Sequence, residues 1–147
     1  MDKFFEEAVA QARKSFSEGG IPIGSVIVYK GEILGKGHNK RVQQGSVVLH
    51  GEMDALENAG RQAAEVYRQS VLYTTLSPCP MCTGAILLYG IPKVVIGENK
   101  TFLGSEDLLR SQGVEVVVLD NPECINLMNS FIELHPDIWY EDIGEQD

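Results

Sequence analysis

The stretch VLYTTLSPCPMCTGAILLYG, residues 71–90, decides the fold of this chain. Its first six residues are mostly β-branched or aromatic, which is typical of a short strand that is buried on both faces of a sheet. After Ser77 and Pro78 an apolar segment runs on to Gly90 and Pro92, which predicts a helix directly behind the strand. Two cysteines lie where the strand gives way to the helix.

The segments on either side continue this alternation of strands and helices. In chain order the predicted elements are helix 3–17, hairpin strands 23–29 and 33–38 around Lys30-Gly31-Glu32, helix 49–59, strand 71–76, helix 85–89, strand 94–96, helix 105–111, strand 114–119 and helix 124–134. A short acidic tail that contains Trp139 follows. We therefore predict one α/β domain over residues 1–147, a three-layer α/β/α sandwich with a central five-stranded mixed sheet. Strands joined by helices are expected to be parallel, and the hairpin adds an antiparallel edge.

Composition narrows the possible functions. The chain has 147 residues, 44% hydrophobic and 22% charged, so we expect a globular protein. Its 12 basic and 21 acidic residues give a net charge of −9, which disfavours nucleic acid and anionic membranes as partners. No apolar run approaches the ~20 residues that span a bilayer. The N-terminal residues are acidic where a signal peptide is basic and then apolar, which predicts an unexported protein.

The three cysteines are odd in number and do not form a disulfide framework. Cys79 and Cys82 form a C-x-x-C pair, which in a reducing compartment is typical of a metal site or a redox motif. We therefore expect a cytoplasmic protein. Cys124 lies apart, at the start of another helix, and is expected to be a small buried apolar residue.

A second motif, His50-Gly51-Glu52, lies upstream of the C-x-x-C pair at the start of a predicted helix. H-x-E followed by P-C-x-x-C is the signature by which zinc deaminases are described. Because Cys79 and Cys82 are three residues apart, the first turn of a helix places both thiolates on one face, where the helix N-terminus stabilises their charge. With His50 they offer three ligands to one Zn²⁺, which leaves the fourth tetrahedral position open for water, as in catalytic sites.

Glu52 is expected beside this water rather than on the metal. Zinc lowers the pKa of bound water to roughly 7. Glu52 can take the proton and pass it to a ring nitrogen and then to a leaving amine. Attack of the resulting hydroxide on an amidine-like carbon, followed by loss of ammonia, is hydrolytic deamination.

Other interpretations of these residues stay open. A redox C-x-x-C needs a thioredoxin-like context, which the upstream motif and the element order do not supply. A structural zinc site needs a fourth protein ligand, such as Cys124 or another histidine. His38 and His135 have no partner at a suitable spacing, and we expect them at a strand end and on the surface. A non-catalytic zinc-binding module would not need Glu52.

Beyond these motifs, the chain resembles the cytidine/deoxycytidylate deaminase superfamily, and more closely its fungal-type cytosine deaminases. The tail Trp139-Tyr140-Glu141-Asp142-Ile143-Gly144-Glu145 is the most discriminating part of the resemblance. The other segments that carry it are 18–24, 37–39, 45–46, 49–52, 73–79, 81–86, 89–92, 97–99 and Phe102. The resemblance implies the cytidine deaminase-like sandwich, one Zn²⁺ per chain, a homodimer, a free nucleobase as substrate and a role in pyrimidine salvage. Pro80 replaces an acid of the fungal pattern, and proline suits the first turn of a helix.

The resemblance also implies roles for individual residues. His50, Cys79 and Cys82 would bind zinc, and Glu52 would shuttle protons. The implied substrate contacts are Asn39 and the Gly51 N–H at the carbonyl edge of the base, Asp142 and the Ser77 carbonyl at its exocyclic amine, and Ile23, Phe102, Trp139 and Ile143 around the ring. Without the resemblance, Phe102 and Trp139 would be expected to be core residues. Asn39 would be a turn residue and Asp142 a solvated acid, so these roles depend on the resemblance.

The predicted reaction is the conversion of cytosine and water to uracil and ammonia. In it a zinc-bound hydroxide attacks C4 while Glu52 protonates N3. One rival is a deaminase of another small cyclic amidine, such as guanine, isocytosine or creatinine. Another is a tRNA adenosine deaminase, which must grip a phosphate backbone around a flipped nucleotide. The excess of acidic over basic residues and a tail that could close the pocket both disfavour a tRNA adenosine deaminase.

Overall fold

A computed structural model describes residues 2–145 of the chain. In chain order its elements are α1 (Lys3–Ser17), β1 (Gly24–Tyr29), β2 (Glu32–His38), α2 (Arg41–Gln44), α3 (Gly51–Ala59), α4 (Ala64–Arg68), β3 (Ser70–Leu76), α5 (Pro80–Tyr89), β4 (Lys93–Glu98), α6 (Glu106–Ser111), β5 (Glu115–Val118), α7 (Pro122–Leu134) and α8 (Pro136–Asp142). Among the helices of residues 2–145, none is both long and apolar enough to cross a membrane.

The strands form one five-stranded sheet in the order β2-β1-β3-β4-β5. β1 is antiparallel to both β2 and β3, whereas β3, β4 and β5 are parallel to one another. Tyr29 pairs with Glu32, which leaves a two-residue hairpin loop. Both loop residues have positive φ, 48° at Lys30 and 79° at Gly31, and a turn of this kind matches the twist of hairpin strands. The predicted hairpin and five-stranded mixed sheet are confirmed.

Neighbouring residues of each strand face opposite sides of the sheet, and each side carries its own helices. On one side Ile27 and Leu72 pack with apolar residues of α3, α4, α5 and α6. On the other side Val26 and Tyr73 pack with α1 and with Cys124 of α7. The arrangement confirms the predicted α/β/α sandwich and the prediction that Cys124 is a buried apolar residue.

Helices approach the sheet closely at two glycines. A Cβ atom on Gly37 of β2 would lie 2.4 Å from the backbone nitrogen of Ala55 in α3. A Cβ atom on Gly24 of β1 would lie 2.2 Å from the carbonyl oxygen of Ala8 in α1. Because the obstacles are backbone atoms, no side chain can turn aside to make room. The two glycines therefore let α3 and α1 rest directly on the hairpin.

Three short helices, α2, α4 and α8, lie in segments for which the sequence predicts none. They have 4, 5 and 7 residues, which is too short to show a helical period. Pro136 predicts the end of α7, but it also begins α8, because proline fits the first position of a helix. The segment predicted as an acidic tail is thus helical, and it buries Trp139 against α7 and the end of β3.

The ends of the strands bring the predicted site residues to one edge of the sheet. β2 and β3 run in the same direction because each is antiparallel to β1, and β4 is parallel to β3. At their carboxyl ends Asn39 follows β2 and Ser77 follows β3. Ile23 directly precedes β1 at the same edge. Ligands of open α/β sheets bind at the carboxyl ends of the strands.

Candidate metal centre and active site

The three predicted metal ligands come from the beginnings of two neighbouring helices. His50 is the N-cap residue of α3 and Cys79 that of α5, and both have extended backbones. Pro80 is the first residue of α5, and Cys82 lies in its first turn. Neither cap residue uses its side chain to cap its own helix, so the imidazole and the thiol can turn towards each other.

The ligand atoms form a compact triangle. The sulfurs of Cys79 and Cys82 lie 3.6 Å apart, and His50 Nδ1 lies 3.4 Å from the first and 3.8 Å from the second. Tetrahedral zinc with ordinary bond lengths needs about 3.8 Å between two sulfurs and about 3.6 Å between a sulfur and a nitrogen. One imidazole and two thiolates are also a donor set found in catalytic zinc sites. The three residues therefore fit one zinc ion.

The surroundings favour ionisation of one thiol. The hydrogen bond between the two thiols, together with that from His50, lowers the pKa of Cys79 to about 4 although burial opposes the shift. The same thiol–thiol bond, followed by burial, raises the pKa of Cys82. Because thiolates are the ligands of zinc, metal binding at neutral pH displaces a proton from Cys82, whereas Cys79 is already charged.

The other ring nitrogen of His50 faces Asp142. His50 Nε2 lies 3.3 Å from Asp142 Oδ1. Burial by itself would lower the pKa of His50, but the hydrogen bonds with Asp142 and Cys79, followed by the charge of Asp142, outweigh it and raise this pKa to about 10. At neutral pH both ring nitrogens therefore carry a proton. Metal binding displaces the proton of Nδ1, while Asp142 holds the one on Nε2 and so directs Nδ1 towards the metal.

Glu52 lies in the first turn of α3 and is buried beside the metal ligands. Burial, followed by the charge of Cys79, raises the pKa of Glu52 to about 7. A carboxyl group that titrates near neutral pH can accept a proton in one step and return it in the next. The geometry thus suits the predicted role of Glu52 in proton transfer.

These groups face a small recess. Its lining residues are Ile23, His50, Glu52, Leu76, Ser77, Cys79, Phe102, Trp139, Asp142 and Ile143. α8 closes one side, where the buried Trp139 ring meets Phe102 edge-on with 5.9 Å between the ring centroids. A concave site with apolar walls and a few polar groups suits a small ligand.

No fourth His, Cys or acid of residues 2–145 lies within 4.8 Å of all three ligand atoms. Cys124 lies in the core on the α1 side of the sheet, away from the triangle. His38 is buried at the end of β2, where its ring nitrogens contact Gln11 and Glu18, and His135 is exposed. These positions disfavour the structural-zinc alternative, which needs a fourth protein ligand.

The comparison with protein families agrees with this geometry. The sequence model described as the cytidine and deoxycytidylate deaminase zinc-binding region matches residues 1–98, which include the three ligands and Glu52. The chain belongs to this family. It is therefore a zinc-binding deaminase-family protein, and one zinc ion is the metal that its ligand triangle fits.

Relatives of this deaminase-family chain share most of its length. A cytosine deaminase of Candida albicans is 59% identical over 144 residues, which cover 97% of this chain and 96% of the relative. A tRNA-specific adenosine deaminase of Streptococcus pyogenes is 37% identical over 139 residues, 87% of each chain.

Solved structures of other proteins superpose on this fold. That of a tRNA:A34 deaminase does so with a TM-score of 0.71 at 24% identity, over 85% of this chain and 98% of the other. That of a guanine deaminase from Nitrosomonas europaea has a TM-score of 0.72 at 19% identity, over 87% and 82%. At these identities the likeness concerns the fold, and it confirms the predicted cytidine deaminase-like sandwich.

Most of the residues with a predicted substrate contact surround the recess of this deaminase. Ile23, Ser77, Phe102, Trp139, Asp142 and Ile143 line it. Asn39 is fully buried behind it, and its side-chain nitrogen lies 3.4 Å from Asp142 Oδ2. Asn39 Oδ1 also accepts a hydrogen bond from Arg41 N, so the residue shapes a turn as well. Gly51 packs under Ile23, where a Cβ atom would lie 3.2 Å from the carbonyl oxygen of that residue. Asp142 is buried and not solvated.

Three residues contribute to the site of this deaminase without a signal in the sequence. Leu76 lines the recess, Arg41 Nε donates to Asp142 Oδ1 at 2.7 Å, and Glu106 accepts a hydrogen bond from Ser77 Oγ. The two charged residues stand among other charged and polar residues of the sequence, as ordinary surface residues would. Their partners are 101 and 29 residues away, so only the tertiary structure reveals the contacts.

Proposed function

We propose that this chain is a cytosine deaminase, which converts cytosine and water to uracil and ammonia. One observation carries the proposal: the ligand triangle and the buried Glu52 open into a small recess that α8 closes with Trp139 and Asp142. The enclosure of the recess by α8, with the buried Trp139 against Phe102, supports a free base more than a flipped nucleotide with its sugar and phosphate. The name of the Candida albicans relative agrees with this substrate.

Glu52 moves the protons of the reaction. Zinc, when bound, supplies the Lewis acidity that activates water for attack near neutral pH. Glu52 takes one proton of the attacking water and delivers it to N3 of the base. It then takes the second proton and delivers it to the exocyclic amine, so that the C4–N bond breaks and ammonia leaves. The C4–O bond stays in uracil, and Glu52 returns to its starting state.

The walls of the recess hold the base. The Asn39 side-chain amide and the Gly51 N–H donate at its carbonyl edge. Asp142 accepts from the exocyclic amine, together with the Ser77 carbonyl. The ring lies among Ile23, Phe102, Trp139 and Ile143. Six of these residues line the recess, and Asn39 and Gly51 adjoin it at Asp142 and Ile23. This supports the assignment, because a few fixed polar groups between apolar walls orient a small ligand.

The test is ammonia release by the purified zinc-loaded protein from cytosine, cytidine, guanine, isocytosine, creatinine and adenosine-containing RNA. We expect release from cytosine and none from the RNA. Release from another small amidine but not from cytosine would overturn the substrate and leave the chemistry intact. Zinc content is measured in the same samples, so that inactivity through metal loss is recognised.

We also propose that two chains form a homodimer through the face of α3, α4 and α5. A broad groove crosses this face, and beside it Leu88 is 74% and Tyr89 44% exposed. Light scattering should give twice the chain mass, and Leu88→Glu should reduce it to that of a monomer. Leu134→Glu is the control, since Leu134 is 66% exposed on α7. A monomeric wild-type protein would contradict the proposal.

Two further assignments belong to this proposal. Site residues come from positions between Ile23 and Ile143, which supports one domain over residues 1–147. All three cysteines are free, which supports a reducing compartment and hence the cytoplasm. Fractionation of cells that express the protein tests the location, and limited proteolysis tests the domain.

A further inference from the structure

Arg41 reaches the site from outside the recess. Its Nε donates a 2.7 Å hydrogen bond to Asp142 Oδ1, and its Nη1 lies 2.9 Å from Glu141 Oε1. The same Oδ1 lies 3.3 Å from His50 Nε2. The Asn39 side-chain nitrogen lies 3.5 Å from Oδ1 and 3.4 Å from Oδ2. One carboxylate therefore joins a cation, a metal ligand and a candidate base-binding amide.

The two ion pairs of Arg41 differ in burial. The side chain of Asp142 is 2% exposed and that of Glu141 63%, against 13% for Arg41 itself. An exposed ion pair contributes little, because water screens it. Removing one partner of a buried pair leaves the other charge unpaired, which is costly. The contact with Asp142 is therefore the one through which Arg41 can act on the site.

The position of Arg41 in the fold suits this contact. Arg41 begins α2, two residues after Asn39, and Asp142 is the last residue of α8. The ion pair thus joins the carboxyl end of β2 to the helix that closes the recess. A guanidinium is planar and donates in fixed directions, so it sets the orientation of a carboxylate as well as its charge.

We propose that Arg41 is a positioning residue that holds the Asp142 carboxylate in the orientation needed by the metal ligand and by the substrate. Oδ1 is committed to Arg41 and to His50 Nε2, which fixes the imidazole ring with Nδ1 towards the zinc position. A partner of this kind orients a ligating histidine and raises its basicity. Oδ2, which accepts one hydrogen bond from Asn39, has its second lone pair for the exocyclic amine of the base; this second part rests on the proposed function.

Three variants separate this role from its alternative, in which Arg41 only fastens α8. Arg41→Gln removes the charge and both ion pairs. Arg41→Lys keeps a charge but loses the planar, fixed donors. Glu141→Gln removes the exposed pair and leaves the contact with Asp142 in place, so it is the matched control.

The first measurement is zinc affinity, from competition between each zinc-loaded variant and a chromogenic chelator. We expect Arg41→Gln to bind zinc about 10- to 100-fold more weakly than wild type, which is the usual effect of losing an outer partner of a ligating histidine. Arg41→Lys should lie between the two, and Glu141→Gln should equal wild type. This measurement needs no substrate, so it tests the inference even if cytosine is not the substrate.

The second measurement is the split between KM and kcat at saturating zinc. We expect Arg41→Gln to raise KM for cytosine several-fold more than it lowers kcat, because Asp142 binds the amine in the ground state. Wild-type zinc affinity in Arg41→Gln would overturn the role at the metal. An equal loss in Glu141→Gln and Arg41→Gln would show that Arg41 only fastens α8. If Arg41→Gln does not fold, the test uses Arg41→Lys instead. Wild-type zinc affinity and a wild-type KM in Arg41→Lys would show that Asp142 does not need the planar donor of Arg41.

Discussion

The Ser77 hydroxyl donates a 2.6 Å hydrogen bond to Glu106 Oε2, and both side chains are buried. The same hydroxyl oxygen accepts a 2.8 Å hydrogen bond from Gly104 N, two residues after Phe102. Ser77 directly precedes the loop that carries Cys79. One serine therefore connects α6, the Phe102 wall of the recess and the metal-binding loop.

Glu106→Ala should destabilise the protein. It leaves the buried Ser77 hydroxyl without its charged acceptor, and the loss of such a hydrogen bond costs about 1.5–3 kcal/mol. Urea unfolding gives the free energy, and KM should rise because the Phe102 wall is no longer held. Asp107→Ala is the control, since the neighbouring Asp107 side chain is fully exposed. Equal unfolding free energies for the two variants would contradict the structural role of Glu106.

Glu52→Gln should keep zinc and lose activity. Glutamine has the size of glutamate but cannot carry a proton between water and the base, and a general acid–base group contributes roughly 10²-fold or more to kcat. Steady-state kinetics and metal analysis of one preparation give both numbers. Glu57→Gln, at an exposed position of the same helix, should leave kcat unchanged. Full activity in Glu52→Gln would refute the proton-transfer mechanism.

Removal of zinc should abolish activity and lower the melting temperature. Any ligand that binds only the folded chain stabilises it, by ~2.7 kcal/mol at a free concentration 100-fold above Kd. Calorimetry before and after chelation, and after zinc is returned, measures the effect. His50→Ala should remove the zinc-dependent shift. A melting temperature that does not depend on zinc in the wild-type protein would contradict binding at the triangle.

Cys124 should resist alkylation in the folded protein. Burial, followed by the charges of Glu98 and Glu123, raises the pKa of this thiol to about 12. A raised pKa favours the neutral form, and only the thiolate reacts, so the folded thiol should stay unmodified between pH 7 and 9. In the unfolded chain the pKa returns to about 8.5 and the thiol should react. Mass spectrometry after iodoacetamide treatment, with and without denaturant, distinguishes the two states; rapid native labelling of Cys124 would be the contrary result.

Gly37→Ala should destabilise the protein by about 1–3 kcal/mol or more, because its new methyl group meets the backbone of α3. Gly84→Ala is the matched control: Gly84 lies within α5, and a Cβ atom there has no neighbour within 4 Å. Alanine in a helix is favoured over glycine by roughly 0.5–1 kcal/mol, so this variant should be more stable than wild type. Urea unfolding of both variants checks the pair. A stable Gly37→Ala protein would show that α3 can lift from β2.

The zinc triangle could be predicted from sequence because its residues form two recognisable motifs, H-x-E and P-C-x-x-C. Cys79 and Cys82 share one helical turn, and His50 begins the helix that also carries Glu52. Strands and longer helices were equally predictable, since each shows its period within its own residues. These parts of the site need only one assumption about the fold, namely that α3 and α5 begin at the same edge of the sheet.

The rest of the site depends on contacts between distant segments. Asp142 stands between Glu141 and Ile143 in an acidic sequence that by itself indicates exposure, yet α8 buries it against His50. Arg41 and Glu106 lie in no recognisable motif. Their buried contacts depend on partners that only the tertiary structure brings close, so the local sequence does not reveal them. The resemblance to a family suggested Asp142, and neither it nor the spacing of residues suggested the other two.

The separation of His50 and Cys79 along the chain gives the metal a second consequence. They are 29 residues apart, and α3, α4 and β3 lie between them. A metal that joins them closes this stretch into a ring, as a disulfide would, and a covalent cross-link of that length restricts the unfolded chain by about 3–4 kcal/mol. Zinc therefore cross-links the middle of the folded chain in addition to its role in catalysis. Cleavage of residues 51–78 by proteases should accordingly increase as metal occupancy falls.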